Sequence, residues 1–282
     1  MSEFVAALPM YDWPEAREET DLQWARLRDK LRMAGFDAPK TLARRNADLP
    51  PVPGGMRYAD NTVVALDPAI LPPDAFDLPA LWRHPKLLLA QACWGPMELG
   101  LSPFVEVIGQ PDYSGFEGGD GIFYSSAILM RRERGRVAAT PSGEGRAVLP
   151  TGLLLGLKLA FNGRDSMSGY LALERDLGST GKGMSIFPET IETAGHRTSI
   201  KAVAEGGADV CAVDCRSWAM AKRFEPAADA LVPVGWTARR KGLPYIASAS
   251  LPKGTIAAVR AAIGAEMANA RRRGIRRGPR SS

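Results

Sequence analysis

Two hydroxyls and a glycine stand together in Phe161-Asn-Gly-Arg-Asp-Ser-Met-Ser-Gly-Tyr170, with an amphipathic run through Leu177 behind them. The apolar stretch Leu157–Phe161 before the segment predicts a strand, so the segment falls where a strand ends and a helix begins. The first turn of a helix carries backbone N–H groups without intrahelical acceptors, and the aligned peptide dipoles place partial positive charge there. Oxyanions bind such ends. Ser166 and Ser168 add two side-chain donors, and Gly169, without a Cβ, lets a tetrahedral group approach the backbone. The same pattern gives Ser166 a second reading, as the N-cap of its own helix.

Other residues with chemistry are few. His196 follows a glycine at a predicted helix start, where it either donates to an oxyanion or caps locally. Asp214 precedes a predicted helix near Cys215 and has two compatible roles, as N-cap or as partner of a ligand ammonium or hydroxyl. His84 precedes Pro85 in a predicted loop and is expected to face solvent. Cys93, Cys211 and Cys215 lack the paired spacing of a zinc site, so no metal or cofactor is expected. An odd number of cysteines favours free thiols in a reducing compartment. Trp94, Trp218 and Trp236 read as packing residues.

The elements that must position these groups alternate between strand and helix. Phe4–Met10 reads as a buried strand, followed by a helix whose Thr20, Trp24, Leu27, Leu31 and Ala34 share one face up to Gly35. Pro50–Gly55 is a connection, Leu78–Arg83 a short helix, and Lys86–Gln91, Val105–Ile108 and Ile122–Met130 further strands. After a surface loop over Arg131–Leu155, the alternation restarts. Strands are expected at Leu157–Phe161, Ala208–Val213 and Tyr245–Ser248, and helices at Ser168–Leu177, Thr198–Glu205, Cys215–Phe224 and Thr255–Ala270. Such alternation predicts two α/β lobes with largely parallel sheets. In open α/β sheets, ligands collect beyond the carboxyl ends of the strands, which here are Tyr11, Cys93, residues 162–168 and Asp214.

A chain of 282 residues with 45% hydrophobic content and a formal charge of +5 is long enough for two cores. Arg271, Arg272, Arg273, Arg276, Arg277 and Arg280 form one terminal cluster without an acid, and removing these six takes the charge from +5 to −1. The cluster therefore reads as a solvated, frayed end rather than a nucleic-acid signal. The first ten residues hold Glu3 and no basic n-region or long apolar h-region, which places the chain as given in the cytosol, or in the periplasm if a leader has been removed. The longest apolar stretches fall short of the about 18 residues of a membrane span.

In their order, several separated pieces resemble the periplasmic-binding-protein-like solute receptors for phosphate, phosphite and phosphonate, among them the phosphonate-binding component of ABC transporters. The pieces are Asn162–Gly169, Gly195-His-Arg-Thr-Ser-Ile200 leading to Ala202–Gly206, Ala208–Asp214, Tyr124-Ser-Ser126 and Gly242-Leu-Pro-Tyr245. The resemblance implies an α/β, two-lobed fold of type 2, each lobe a mostly parallel sheet flanked by helices, with a ligand cleft between lobes. Residues 1–126 plus 243–270 would form lobe 1, 127–242 lobe 2, and 271–282 a basic flexible tail. It further implies that Ser166 and Ser168 with their backbone amides grip the oxyanion, in a turn shared with Asn162, Met167 and Gly169. His196 and Asp214 would reach the same ligand, Tyr124 with Ser125 beside it would line the cleft, and Tyr11 would supply a first-lobe contact. The implied function is closure on a small oxyanion for ABC-type uptake or sensing, with the oxyanion and an ABC permease as partners and no nucleic acid, no membrane insertion and no catalysis. An alternative keeps the fold but makes the chain a cytosolic enzyme of small-molecule or cofactor biosynthesis, with His196 and Asp214 as acid/base groups and Cys93 as nucleophile.

Overall fold

A computed structural model of the chain describes residues 3–133 and 137–276. They fall into two compact α/β units, the first formed by Met1–Ala92, Met97–Pro111 and Leu243–Ser282, the second by Cys93–Pro96 and Asp112–Gly242. Residues 112–126, expected with the first lobe, belong to the second unit. There Gly119–Asp120 pairs with Phe123–Tyr124, and the latter with Arg240–Lys241, in a small antiparallel sheet.

The strands of the two main sheets are, in chain order, β1 (Val5–Ala6), β2 (Leu87–Gln91), β3 (Val105–Gly109), β4 (Ser126–Arg131), β5 (Lys158–Phe161), β6 (Glu189–Glu192), β7 (Val210–Asp214), β8 (Leu231–Trp236) and β9 (Tyr245–Ser248). The helices used below are α1 (Arg17–Met33), α2 (Leu78–Arg83), α3 (Ala172–Ser179), α4 (His196–Ala204), α5 (Cys215–Phe224) and α6 (Lys253–Arg276).

In the first unit the sheet order is β1-β2-β9-β3, with β1 parallel to β2 and β9 antiparallel to both of its neighbours. β2 is buried along its whole length, as its unbroken Leu-Leu-Leu-Ala run requires of a strand covered on both faces. Helix α1 lays Trp24, Leu27 and Leu31 into the core, and α6 adds Ile256, Val259 and Ile263. Gly109 is a close-approach site, since a Cβ there would press on the Ile263 side chain. The buried Glu266 takes Arg26 Nε at 2.7 Å and Lys30 Nζ at 2.9 Å, fixing α6 to α1.

The first unit departs from the sequence expectations in three places. The strand predicted over Phe4–Met10 shrinks to β1, because Pro9 opens a 3₁₀ turn through Tyr11. Helix α6 runs on to Arg276, through arginines predicted to be a frayed tail; Arg277 and Arg280 lie outside the described residues. His84, predicted to face solvent, is 1% exposed. Its Nε2 lies 3.0 Å from Pro50 O, and its Nδ1 accepts from Lys86 N at 3.1 Å, so the neutral Nε2–H ring satisfies both nitrogens.

In the second unit the order is β6-β5-β7-β4-β8, with β5 parallel to β6 and β7, and β4 antiparallel to β7 and β8. In each main sheet all strands but one therefore run the same way, and the reversed one is the first main-sheet strand after a crossing, β4 after the chain passes into the second unit at Asp112 and β9 after it returns to the first at Leu243. Ile128, Leu159, Phe161, Leu173, Leu177, Val210 and Val232 form the heart of the core. Each such side chain, fully buried, contributes about 1.5–3 kcal/mol of transfer free energy. The parallel run has a consequence for chemistry. The loops after β5, β6 and β7 leave from one edge, and the start of β4 joins them, since Asp214 pairs with Ser126.

Candidate functional site

The loop after β5 carries the hydroxyls. Ser166 N donates to Gly163 O at 3.1 Å, closing a turn, and Ser166 then caps the following helix, its Oγ accepting from Gly169 N at 3.1 Å. The first helical turn, Met167–Leu171, is wound as a π-turn before α3 begins, with the N–H groups of Tyr170 and Leu171 both donating to Ser166 O. Gly169 is required by contact: a Cβ there would overlap Asn162 Oδ1 and stand 3.3 Å from Ser166 Oγ. Asn162 is thus packed beneath the turn.

Met167 turns its side chain away from the hydroxyls into an apolar cluster with Cys93, Ala172, Trp94 and Leu171. Its N–H donates to Cys93 Sγ at 3.3 Å. The Cys93–Pro96 segment passes close against this loop, because Gly95 has no Cβ to meet the carbonyl of Asp165.

Ser168 Oγ lies 2.8 Å from His196 Nε2 and 3.4 Å from Ser166 Oγ, and it also hydrogen-bonds the Tyr124 hydroxyl. His196 is the first residue of α4, after the loop that follows β6. Thr193 fixes that loop: its Oγ1 reaches Phe161 O at 3.1 Å, Gly195 O at 3.2 Å and Ser199 Oγ at 2.6 Å. Thr193 therefore ties the end of β5 to the start of α4, a role that nothing in the local sequence announces.

Asp214 ends β7 and caps α5, its Oδ1 accepting from Arg216 N at 3.0 Å and Ser217 N at 2.9 Å, while Oδ2 stands 3.4 Å from His196 Nε2. Ser125 is buried, and its carbonyl accepts from Cys215 N at 3.2 Å. The structure of the second unit thus gathers Ser166, Ser168, Gly169, His196, Asp214 and Tyr124, with Asn162 and Ser125 as supports. Tyr11 is a buried residue of the first unit.

Burial sets the charge states. It holds the His196 imidazole below its ordinary pKa, with the Asp214 carboxylate only partly opposing it, so the ring is neutral near pH 7. Burial also pushes the Tyr124 phenol well above its usual range, helped by Cys93 and Asp214, and raises the Cys93 thiol. His84 is held low for the same reason as His196. Both histidines bind protons more weakly folded than unfolded. Stability is therefore level above about pH 6.5 and falls as the pH drops below it, by at most about 1.4 kcal/mol per pH unit for each ring. Urea unfolding at pH 7.5, 6.5 and 5.5 checks this, and equal free energies at all three would contradict the neutral rings.

Ser168, His196 and Asp214 are the residue types of a hydrolytic triad, but not its arrangement. A triad uses both ring nitrogens, one for the serine and one for the carboxylate. Here both groups face Nε2, and Nδ1 is buried with no hydrogen-bond partner among the described residues. The buried Cys93, its thiol pKa raised, is likewise no activated nucleophile. The geometry suits holding a ligand better than attacking one.

A family model described as the periplasmic substrate-binding protein of phosphonate ABC transporters matches residues 105–278. The fold is shared with PhnD1 of Prochlorococcus marinus, solved in complex with methylphosphonate, at a TM-score of 0.60 and 14% identity, over 93% of this chain and 84% of that one. A binding protein component of the ABC phosphonate transporter of Pseudomonas aeruginosa gives a TM-score of 0.56 at 14% identity, over 93% and 74% of the two chains. A protein of Xanthomonas citri bound to chloride gives 0.56 at 13% identity, over 93% and 83%. No curated protein sequence matches the chain. The match extends over well over half of the sequence, and the chain belongs to the periplasmic substrate-binding proteins of phosphonate ABC transporters, a family of binding proteins and not of enzymes.

Proposed function

We propose that the chain captures a small phosphorus oxyanion, phosphate, phosphite or a phosphonate, at the Ser166–Gly169 turn and delivers it in the periplasm to the permease of an ABC transporter. The observation that carries this reading is the Ser168 hydroxyl, set at a helix N-terminus between His196 Nε2 and the Tyr124 hydroxyl. His196 Nε2–H occupies one lone pair of Ser168 Oγ, and the Ser168 hydrogen can turn to Tyr124, Ser166 or a ligand oxygen. Ser166 Oγ likewise acts as an acceptor within its cap, leaving a second O–H hydrogen 3.4 Å away, oxygen to oxygen. Two adjacent hydroxyl donors over a helix N-terminus match two oxygens of one tetrahedral anion. The family model and the methylphosphonate complex of a protein of the same fold support the same ligand class.

Isothermal titration of the purified chain with methylphosphonate, phosphate, phosphite and sulfate tests the reading. Saturable heat with at least one phosphorus oxyanion is expected. Correctly folded protein that gives no heat with any of them would sink it.

A further inference from the structure

Resting on that reading, we propose that binding of a phosphorus oxyanion at Ser166 and Ser168 is coupled to uptake of one proton by His196, which accepts it on Nδ1 while Asp214 holds Nε2. The carboxylate settles which nitrogen of the neutral ring carries hydrogen. With Asp214 Oδ2 at 3.4 Å and Ser168 Oγ at 2.8 Å, Nε2 is the donor, because a lone pair on that nitrogen would face the carboxylate. Nδ1 is then a bare acceptor, buried and without a donor among the described residues. In the unliganded protein a second proton there would find no acceptor and would charge a buried ring. The neutral ring wins.

An oxyanion on Ser168 changes the balance. It sits one hydroxyl away from the imidazole, a range at which an opposite charge strongly favours the protonated form. The imidazolium would then meet two negative charges at its Nε2 edge, Asp214 directly and the ligand through Ser168.

The surrounding groups do not supply the charge in its place. On its own helix, Arg197 is committed to Glu225 Oε2 at 2.7 Å, and Lys201 lies on the outer surface. The β5 loop brings the exposed Asp165 and the exposed Arg164, whose guanidinium lies over the Phe161 and Tyr170 rings and donates to the Tyr170 hydroxyl at 3.1 Å. The start of β4 brings the neutral Tyr124, the neighbouring segment the Cys93 thiol, and α5 the Cys215 thiol and Arg216, which lies over the Phe116 ring. Of the charged groups, Asp214 alone acts on the ring.

The test is calorimetry of methylphosphonate binding at pH 7 in buffers of different ionisation enthalpy, on wild type and His196→Gln in parallel. The difference between the two slopes removes protons exchanged by the ligand itself. Wild type is expected to take up roughly half to one proton more than the variant. Equal slopes with binding retained overturn the proposal and leave the oxyanion reading standing, whereas no heat in wild type overturns that reading as well. A second measurement needs no variant that binds. The chain has 2 histidines, and the one in the first unit has both ring nitrogens occupied, so their carbon-bound ring protons give two separable NMR signals. On saturation with methylphosphonate at pH 7, the His196 signal is expected to move to the imidazolium position while the His84 signal stays. A His196 signal that remains at its neutral position overturns the proposal.

Discussion

Replacing Asp176 by alanine is expected to destabilise the second unit by about 3–5 kcal/mol, the cost of leaving a paired, buried charge without its partner. Asp176 lies on α3 with 6% of its surface exposed, and its carboxylate receives Arg240 Nη2 at 2.5 Å and Nη1 at 3.2 Å together with Ala238 N at 2.8 Å. The removal therefore strands a backbone N–H and leaves the guanidinium its bond to Ala238 O at 2.8 Å without a counter-charge. Asp176→Asn keeps the shape and loses the charge, so its effect should be smaller but still well above that of an exposed ion pair. The consequence reaches the site, because Arg240 pairs with Tyr124 in the small sheet. Urea unfolding followed by circular dichroism measures the loss. A change for Asp176→Ala no larger than that for a surface carboxylate would mean that the pair is solvated in solution.

How much of this was legible beforehand depends on what each element signals through. Helices α2 and α5 are bounded as their caps indicate, with Asp77 accepting from Ala80 N and Asp214 from Arg216 and Ser217. The face of α1 was readable from its apolar spacing, since Trp24, Leu27 and Leu31 are its buried residues. Two strands left no signal. β6 is Glu-Thr-Ile-Glu, exposed along its length at the sheet edge, so it is held by backbone pairing without an apolar pattern. β8 contains Pro233 and Gly235, which argue against a strand; it is tolerated because it is an edge strand with an irregularity between those two residues. The predicted strand Ile122–Met130 is broken in two because Ser125 N turns aside to bond Gly118 O, between the small sheet and β4.

The site was readable in kind but not in wiring. Hydroxyls and glycine after a strand announce an anion turn from local chemistry alone, and Asp214 announces a cap. The Ser166 cap on Gly169 N was one of its two sequence readings, but that Met167 N–H bonds Cys93 and that Thr193 joins two loops depend on contacts between residues 32 or more apart. No periodicity encodes those.

Ser168→Ala is expected to weaken methylphosphonate binding by about ten- to a hundredfold, the loss of one hydrogen bond to a charged group worth about 1.5–3 kcal/mol. Ser168 is the residue to change because its hydroxyl touches both His196 and Tyr124. The substitution also takes a partner from the buried Tyr124 hydroxyl, so stability should fall as well, by about 1–3 kcal/mol. Ser166→Ala separates the two effects. It removes a helix cap, worth about 0.5–2 kcal/mol, as well as a ligand donor, but leaves the His196 contact of Ser168 in place. Proton uptake on binding should therefore survive in Ser166→Ala and be reduced in Ser168→Ala. Titration calorimetry of both variants decides the matter: if Ser168→Ala binds methylphosphonate as tightly as wild type while its fold is intact, the oxyanion is not held by this turn, and His196 and Asp214 are a buried structural pair.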